Sequence, residues 1–219
     1  LQVLYQERLY SVGKIPGGFI KREGRPSDAA TLAARLIDRP IRPLFPKDYR
    51  NDVSINAMVM AVDQDCAPEI CAMIGSSIAL SISDIPFYGP TGSVSVGMVD
   101  GEYIINPTAE QKAKSRMNLT VASTKEKVMM IEAGADEVTD DEMYDAIMFG
   151  HAQNIEICKF IDGIVAECGK EKHSYEEHVV DHDLYDAIKE LIGDKRMEEA
   201  VFTDMKQVRD ERISEIEAE

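Results

Sequence analysis

Residues 13–46 read GKIPGGFIKREGRPSDAATLAARLIDRPIRPLFP, and the order of turn, capped helix and proline break decides the class of fold. Pro16, Gly17 and Gly18 make a turn that leads into a loop running to Pro26. Ser27 then offers a side-chain oxygen to the open N–H groups of a helix start, and Asp28 sits where the helix dipole favours an acid. The alanine-rich stretch from Asp28 continues as an amphipathic helix until Pro40 and Pro43 disrupt it. Arg35 and Arg39 share one face of that helix, and one more step along the same line reaches Arg42.

On the N-terminal side, Leu1 to Val12 alternate apolar and polar side chains as a strand does, ended by Gly13. No initiator methionine, basic leader or cleavage site stands before them, so the chain reads as starting within a domain. On the C-terminal side, Asp52 to Asp63 reads as a strand with Val53, Ile55, Ala57, Val59 and Ala61 on one face and methionines opposite. That pattern predicts cover on both faces. Pro68 opens a helix whose Ala72, Gly75, Ser76, Ser77 and Ala79 permit close approach to a sheet, and Pro86 ends the element. Strands follow at 93–99, 102–106, 118–123 and 127–133, with Asp100-Gly101 marking a tight hairpin. Thr139 caps a long helix carried by Met143, Ile147, Ile155, Ile161 and Val165 as far as Cys168. These elements predict an α+β domain over residues 1–169, a polar linker over 170–182 and the start of an all-helical region over 183–219.

The 219 residues carry 24 Lys and Arg against 40 Asp and Glu, a net charge of −16, which by itself argues against a polyanionic partner. The distribution reverses that reading. Residues 1–50 hold ten cations, namely Lys14, Lys21, Lys47 and seven arginines, against five acids, so this part stands at +5 and the remainder at −21. An approaching polyanion feels the local field within a Debye length of roughly 8 Å, not the whole-chain average. Glycines 17, 18 and 24 let the backbone approach phosphates, and the planar guanidiniums of Arg22, Arg25, Arg35, Arg39 and Arg42 are able to grip phosphate oxygens two at a time. Phe19 adds a ring for base stacking, worth about 1–3 kcal/mol per base in single-strand binders. The plainer alternative pairs Arg35 and Arg39 with Asp38, Asp28 or Glu23 as ordinary salt bridges, and for Arg39 and Arg42 alone it is the favoured reading.

Other candidate sites read as structure. Cys66, Cys71, Cys158 and Cys168 lack both a zinc spacing and the density of a disulfide scaffold, which predicts reduced, mostly buried thiols. His173, His178 and His182 follow no zinc pattern, and His151 reads as a structural histidine. Asp136, Glu137, Asp140, Asp141 and Glu142 fit a helix start better than a metal cluster. Ser76, Ser77, Ser81 and Ser83 read as small spacers. The hydrophobic share of 44% and charged share of 29% are those of a globular chain, and no apolar run approaches the roughly 20 residues of a spanning helix.

Taken in order, REGRPS at 22–27, LIDRPIRPLFP at 36–46, IGSSIALSISDIPFYGP at 74–90, YIINPT at 103–108 and FGHAQNI at 149–155 resemble the first RNase PH-type domain of bacterial polynucleotide phosphorylases. The acidic tail is similar to that family's all-helical domain. The resemblance implies an α+β fold, RNase PH-like and ribosomal protein S5 domain 2-like, truncated at its N-terminus and followed by an all-α segment. It further implies a cytoplasmic, homotrimeric polyribonucleotide nucleotidyltransferase that uses inorganic phosphate and Mg²⁺ to degrade mRNA from the 3′ end, releasing nucleoside diphosphates. Single-stranded RNA and RNA-degradation assembly partners are implied, and a membrane is not. The family's pore loop reads Phe-Phe-Arg-Arg, where this chain has Phe19, Ile20, Lys21 and Arg22, one stacking ring and one planar fork fewer. The resemblance places catalytic, phosphate-binding and metal-binding residues in a second RNase PH-type domain, so no catalytic residue is expected in this segment. RNA binding is expected at Phe19, Lys21, Arg22, Arg25, Arg35, Arg39 and Arg42. Two rival readings are a scaffold without direct RNA contact and an autonomous phosphorolytic enzyme like RNase PH itself.

Overall fold

Strands β1 (Gln2–Glu7) and β2 (Ser54–Val59) lie side by side in parallel, with Tyr5 opposite Ala57. Parallel neighbours need a crossover, and helix α1 (Asp28–Ile41) provides it. The computed structural model describes residues 1–17, 24–177 and 181–218, which divide into two units, Leu1–Tyr175 and Glu176–Glu219.

Ser27 caps α1 by accepting a hydrogen bond from the Ala30 N–H at 3.1 Å, as its sequence position predicts. The helix does not stop before Pro40. Pro40 is buried inside the last turn, and α1 runs on to Ile41 before a single 3₁₀ turn at Arg42–Leu44. A proline that close to the end removes one hydrogen bond from a turn already finishing, so the break it forces falls just beyond it. The first strand is shorter than its alternation predicts. It ends at Glu7, and Leu9–Val12 wind into a 3₁₀ turn closed by Gly13 at φ 70°.

After helix α2 (Pro68–Ile82), a second, antiparallel sheet follows: β3 (Gly92–Val99), β4 (Glu102–Ile105), β5 (Met117–Ser123) and β6 (Val128–Ala135), in spatial order β4-β3-β5-β6. Asp100 and Gly101, both at positive φ, join β3 to β4 in the tight turn their sequence foretells. Between β4 and β5 lies α3 (Ala109–Lys114), opened by a reciprocal cap between Thr108 and Gln111. Its six residues are too few to show a helical period in the sequence.

Both faces of this sheet are covered. Val94, Val96, Met98, Leu119 and Val121 pack with Ala146 of helix α4 (Asp140–Cys168), while Ala122 and Met130 join the core of Tyr5, Ile37, Ile41 and Met73. Each fully buried aliphatic side chain contributes about 1.5–3 kcal/mol, so these two cores, more than exposed ion pairs, hold the unit. Thr139 and Glu142 cap α4 reciprocally, and hydrogen bonds from the Thr139 backbone and hydroxyl hold the Glu142 carboxyl below its ordinary range.

Two expectations need correction. β2 is covered on one face only: Ser54, Asn56 and Met58 are exposed, while α2 packs against β2 and Ile55, Ala57 and Val59 join the core. Of the four thiols only Cys158 is buried, whereas Cys66, Cys71 and Cys168 lie at the surface.

Past α4 the chain returns to the end of α2. Lys170 N–H donates to Ile82 O, the Lys172 ammonium to the carbonyls of Leu80, Ser81 and Ser83, and His173 N–H to Asp84 O. These donors satisfy carbonyls that a helix end leaves open. The Tyr175 hydroxyl donates to Asp48 at 3.0 Å and its ring stands edge-on to Tyr49. The second unit holds α5 (His182–Ile192), α6 (Asp194–Val201) and α7 (Lys206–Glu217), with Asp181 capping α5 through Leu184 N–H.

Tyr5 gives the first unit an alkaline limit. It is 2% exposed, and its hydroxyl donates to Glu7 Oε1 at 2.9 Å. Burial first, then that carboxylate, raises the phenol above its ordinary value of 10.0. Below pH 10.0 both states keep the proton; above it the unfolded chain ionises while the fold resists. Stability is therefore expected to fall by roughly 1.4 kcal/mol per pH unit in this window. Urea midpoints compared across that range should fall more steeply for the native chain than for Tyr5→Phe, and equal slopes would remove Tyr5 as the cause.

Candidate nucleic-acid interface

The cationic segment brackets residues 18–23. Phe19, Lys21 and Arg22 fall in that stretch, outside the described residues. On either side of it the end of β1, the loop at 16–17 and the entry to α1 enclose a groove of ≈ 440 Å³ lined by Glu7, Arg8, Gly17, Gly24, Arg25 and Ser27, among others. Arg25 is exposed there and makes no ion pair among the described residues. The half-buried Arg8 donates to Gln6 Oε1 at 2.6 Å and lines the same groove. Arg8 is absent from the predicted site. Its signal is its membership of the seven-arginine segment, and what hides it is its place at the end of a strand rather than in the glycine-rich loop.

The three arginines along α1 divide by partner. Arg35 is exposed and forms no ion pair among the described residues. Arg39 reaches across to β6, where its Nη1 donates to Glu132 Oε2 at 2.8 Å, with both side chains more than half exposed. Arg42 grips Asp38 with two nitrogens, Nε to Oδ2 at 2.9 Å and Nη2 to Oδ1 at 2.8 Å, and Nη2 also donates to Leu1 O at 3.0 Å. An acid four residues before a base is the favourable order for such a pair. Asp38 thus serves Arg42, and Arg39 takes a partner 93 residues away.

Of the serines read as spacers, Ser81 has a buried Oγ without a hydrogen-bond partner among the described residues, while others bond within the fold. Ser77 Oγ accepts from Thr91 N–H at 2.8 Å, and Ser83 Oγ donates to Leu80 O at the end of α2. His151 Nδ1 lies 2.9 Å from Ser123 Oγ. His173 Nε2 lies 3.2 Å from the Tyr49 hydroxyl, and His178 is outside the described residues. Burial pushes the Cys158 thiol up, away from the thiolate form that a nucleophile or metal ligand needs. Among the described residues no three His, Cys, Asp or Glu side chains gather as a metal site, and no helix is long and apolar enough to cross a membrane.

Residues 1–86 match the 3′ exoribonuclease family, domain 1, and residues 89–153 match domain 2 of the same family, the join falling between α2 and β3. The polyribonucleotide nucleotidyltransferase of Lachnoclostridium phytofermentans is 60% identical over 99% of this chain, and that of Clostridioides difficile 59% identical over all of it. The chain spans 31% of the length of each of these relatives. The crystal structure of rice (Oryza sativa) Rrp46 superposes with a TM-score of 0.59 at 12% identity, covering 75% of this chain and 72% of that one, a likeness of fold alone. With two consecutive domains of one family matched in order along the α+β unit, the chain belongs to the 3′ exoribonuclease family.

Proposed function

We propose that the whole protein is a polyribonucleotide nucleotidyltransferase, a cytoplasmic homotrimer that degrades mRNA from its 3′ end. Inorganic phosphate attacks the last phosphodiester, the bond to the preceding nucleotide's 3′ oxygen breaks, and a nucleoside diphosphate leaves. In this reading residues 1–169 are the first RNase PH-type domain, 170–182 a connector and 183–219 the beginning of an all-helical domain. The chain guides single-stranded RNA along Phe19, Lys21, Arg22, Arg25 and Arg35 and supports trimer assembly, with RNA-degradation proteins as further partners. No catalytic role falls to it. In this reading the Mg²⁺ and phosphate of the intact enzyme are held by residues outside this segment.

The observation that carries the RNA-guiding role is the division among the arginines. Arg25 and Arg35 present exposed guanidiniums with no ion pair among the described residues, open to a phosphate chain, while Arg39 and Arg42 hold the fold's own acids. Those two ion pairs also favour a second reading, in which the chain is a scaffold without RNA contact. Fluorescence anisotropy of a labelled oligoadenylate across a salt series separates the two. Arg35→Ala is expected to flatten the slope of log affinity against log salt by about 0.7, the share of one phosphate contact on a single strand. Arg42→Ala is expected to leave that slope alone and to change stability by less than about 1 kcal/mol, as an exposed pair does. If Arg35→Ala leaves the slope untouched, the scaffold reading takes its place.

A further inference from the structure

Consecutive carbonyls at the end of α2, from Leu80 to Asp84, all accept hydrogen bonds from one stretch of chain, 170–173. Lys170 N–H donates to Ile82 O at 3.0 Å and His173 N–H to Asp84 O at 2.8 Å. Between them the Lys172 ammonium meets the other carbonyls, Leu80 O at 2.9 Å, Ser81 O at 3.0 Å and Ser83 O at 2.6 Å. A helix end leaves about four carbonyls without intrahelical partners, and a common cap satisfies them from the residues directly after the helix. Here the donors come from far along the chain, so the end of α2 and the stretch after α4 depend on each other.

The oxygens around the ammonium form a cage with a definite chemistry. They are neutral backbone carbonyls converging on one point, and they stand at the negative end of the dipole of a 15-residue helix. Burial pulls the Lys172 pKa below its ordinary 10.5, and the Asp84 carboxylate, just past α2, works against that. A divalent ion does not suit the cage. Spacings of 2.6, 2.9 and 3.0 Å exceed the roughly 2.0–2.1 Å of magnesium and 2.3–2.6 Å of calcium to oxygen, and no carboxylate is among these ligands. Carbonyls gathered around one monovalent cation replace its water, as in potassium-selective pores. A lysine ammonium is such a point charge on a flexible tether.

We propose that the C-terminal end of α2 is a site for a monovalent cation of the potassium and ammonium class, occupied in this chain by the Lys172 ammonium, and that this occupation locks residues 170–173 onto α2. Lys172 is thus a positioning residue. Without its charge, Leu80 O, Ser81 O and Ser83 O each lose a donor, and a free cation of the same class takes the point where they converge. The Tyr175 hydroxyl on Asp48 and the contact of His173 with Tyr49 then have to hold the stretch unaided.

The test uses the full chain and Lys172→Met, which keeps the length and apolar stem of the side chain and removes the charge. In choline chloride, amide exchange at Lys170 and His173 is expected to be at least about tenfold faster in the variant than in the parent, the share of a charge-assisted hydrogen bond. Potassium or ammonium chloride is expected to restore the protection, lithium chloride of equal ionic strength to leave it lost, and the parent to respond alike to all these salts. Unchanged exchange in the variant overturns the lock. Loss without rescue by potassium or ammonium, or rescue by every salt alike, overturns the cation site. A variant that fails to fold leaves the decision to the parent. Its ¹⁵N spectrum at neutral pH is expected to show the Lys172 ammonium as a slowly exchanging signal with cross-relaxation to Ser83, where the exposed Lys14 and Lys47 give none. Absence of that signal overturns the proposal.

Discussion

Adding one methyl group at Gly92 is expected to destabilise the first unit by about 3 kcal/mol, the upper range for overpacking a core. A Cβ at Gly92 would stand 2.5 Å from the Asn154 backbone oxygen and 2.8 Å from its Cα. Neither atom can swing aside as a side chain does. Asn154 is itself held, its Nδ2 donating to Val121 O at 3.0 Å on the neighbouring strand, and Cys158 lies fully buried one turn further along α4. The helix would have to lift from β3, opening the core of Val94, Val96 and Val121. Gly150 provides the contrast. Its added Cβ meets Val96 Cγ2 at 3.0 Å and Val121 Cγ2 at 3.1 Å, side-chain ends able to give a few tenths of an ångström. Gly75→Ala, with open space, is expected to stabilise by up to about 1 kcal/mol through helix propensity alone. Urea unfolding should rank the three in that order, and a Gly92→Ala protein as stable as the parent would refute the packing of α4 on β3.

Features written in local chemistry are legible in the sequence alone. Thr139 and Glu142 stand three apart and cap α4 as spelled, and Asp100-Gly101 turns the chain where two positive φ values are needed. Features that depend on distant partners were not. Nothing near Arg39 announces Glu132, and the acid nearest in sequence, Asp38, goes to Arg42 because a helix places i and i+4 together. The exposure of Met58 and Met60 is equally hidden: an apolar strand reads as covered twice, whereas the fold places its cover, α2, on one side. The anchoring of 170–175 escaped for a related reason. Its lysine and tyrosine read as linker polarity, and their partners Leu80, Ser83 and Asp48 lie some hundred residues back. For the candidate site, residue types and charge were readable, whereas which guanidiniums remain unpaired is a property of the fold.

Replacing Lys21, Arg22 and Arg25 together by alanine in the intact protein is expected to weaken oligoadenylate binding by roughly a hundredfold at about 0.1 M salt. Three phosphate contacts at about 0.7 each lower the slope of log affinity against log salt by about 2, and that slope accumulates over each decade of dilution. The size of the loss separates electrostatics from stacking. Phe19→Ala removes a ring and no charge, so it should weaken binding at every salt concentration by a similar factor and leave the slope as it was. Lys21→Arg restores a planar fork without adding charge, so it should tighten binding at an unchanged slope, through geometry alone. A triple variant that binds with the parent's affinity and slope would move the RNA path off this loop. Arg25 and Arg35, without an ion pair among the described residues, would then need another explanation, since an exposed guanidinium without a carboxylate adds little to the fold's stability.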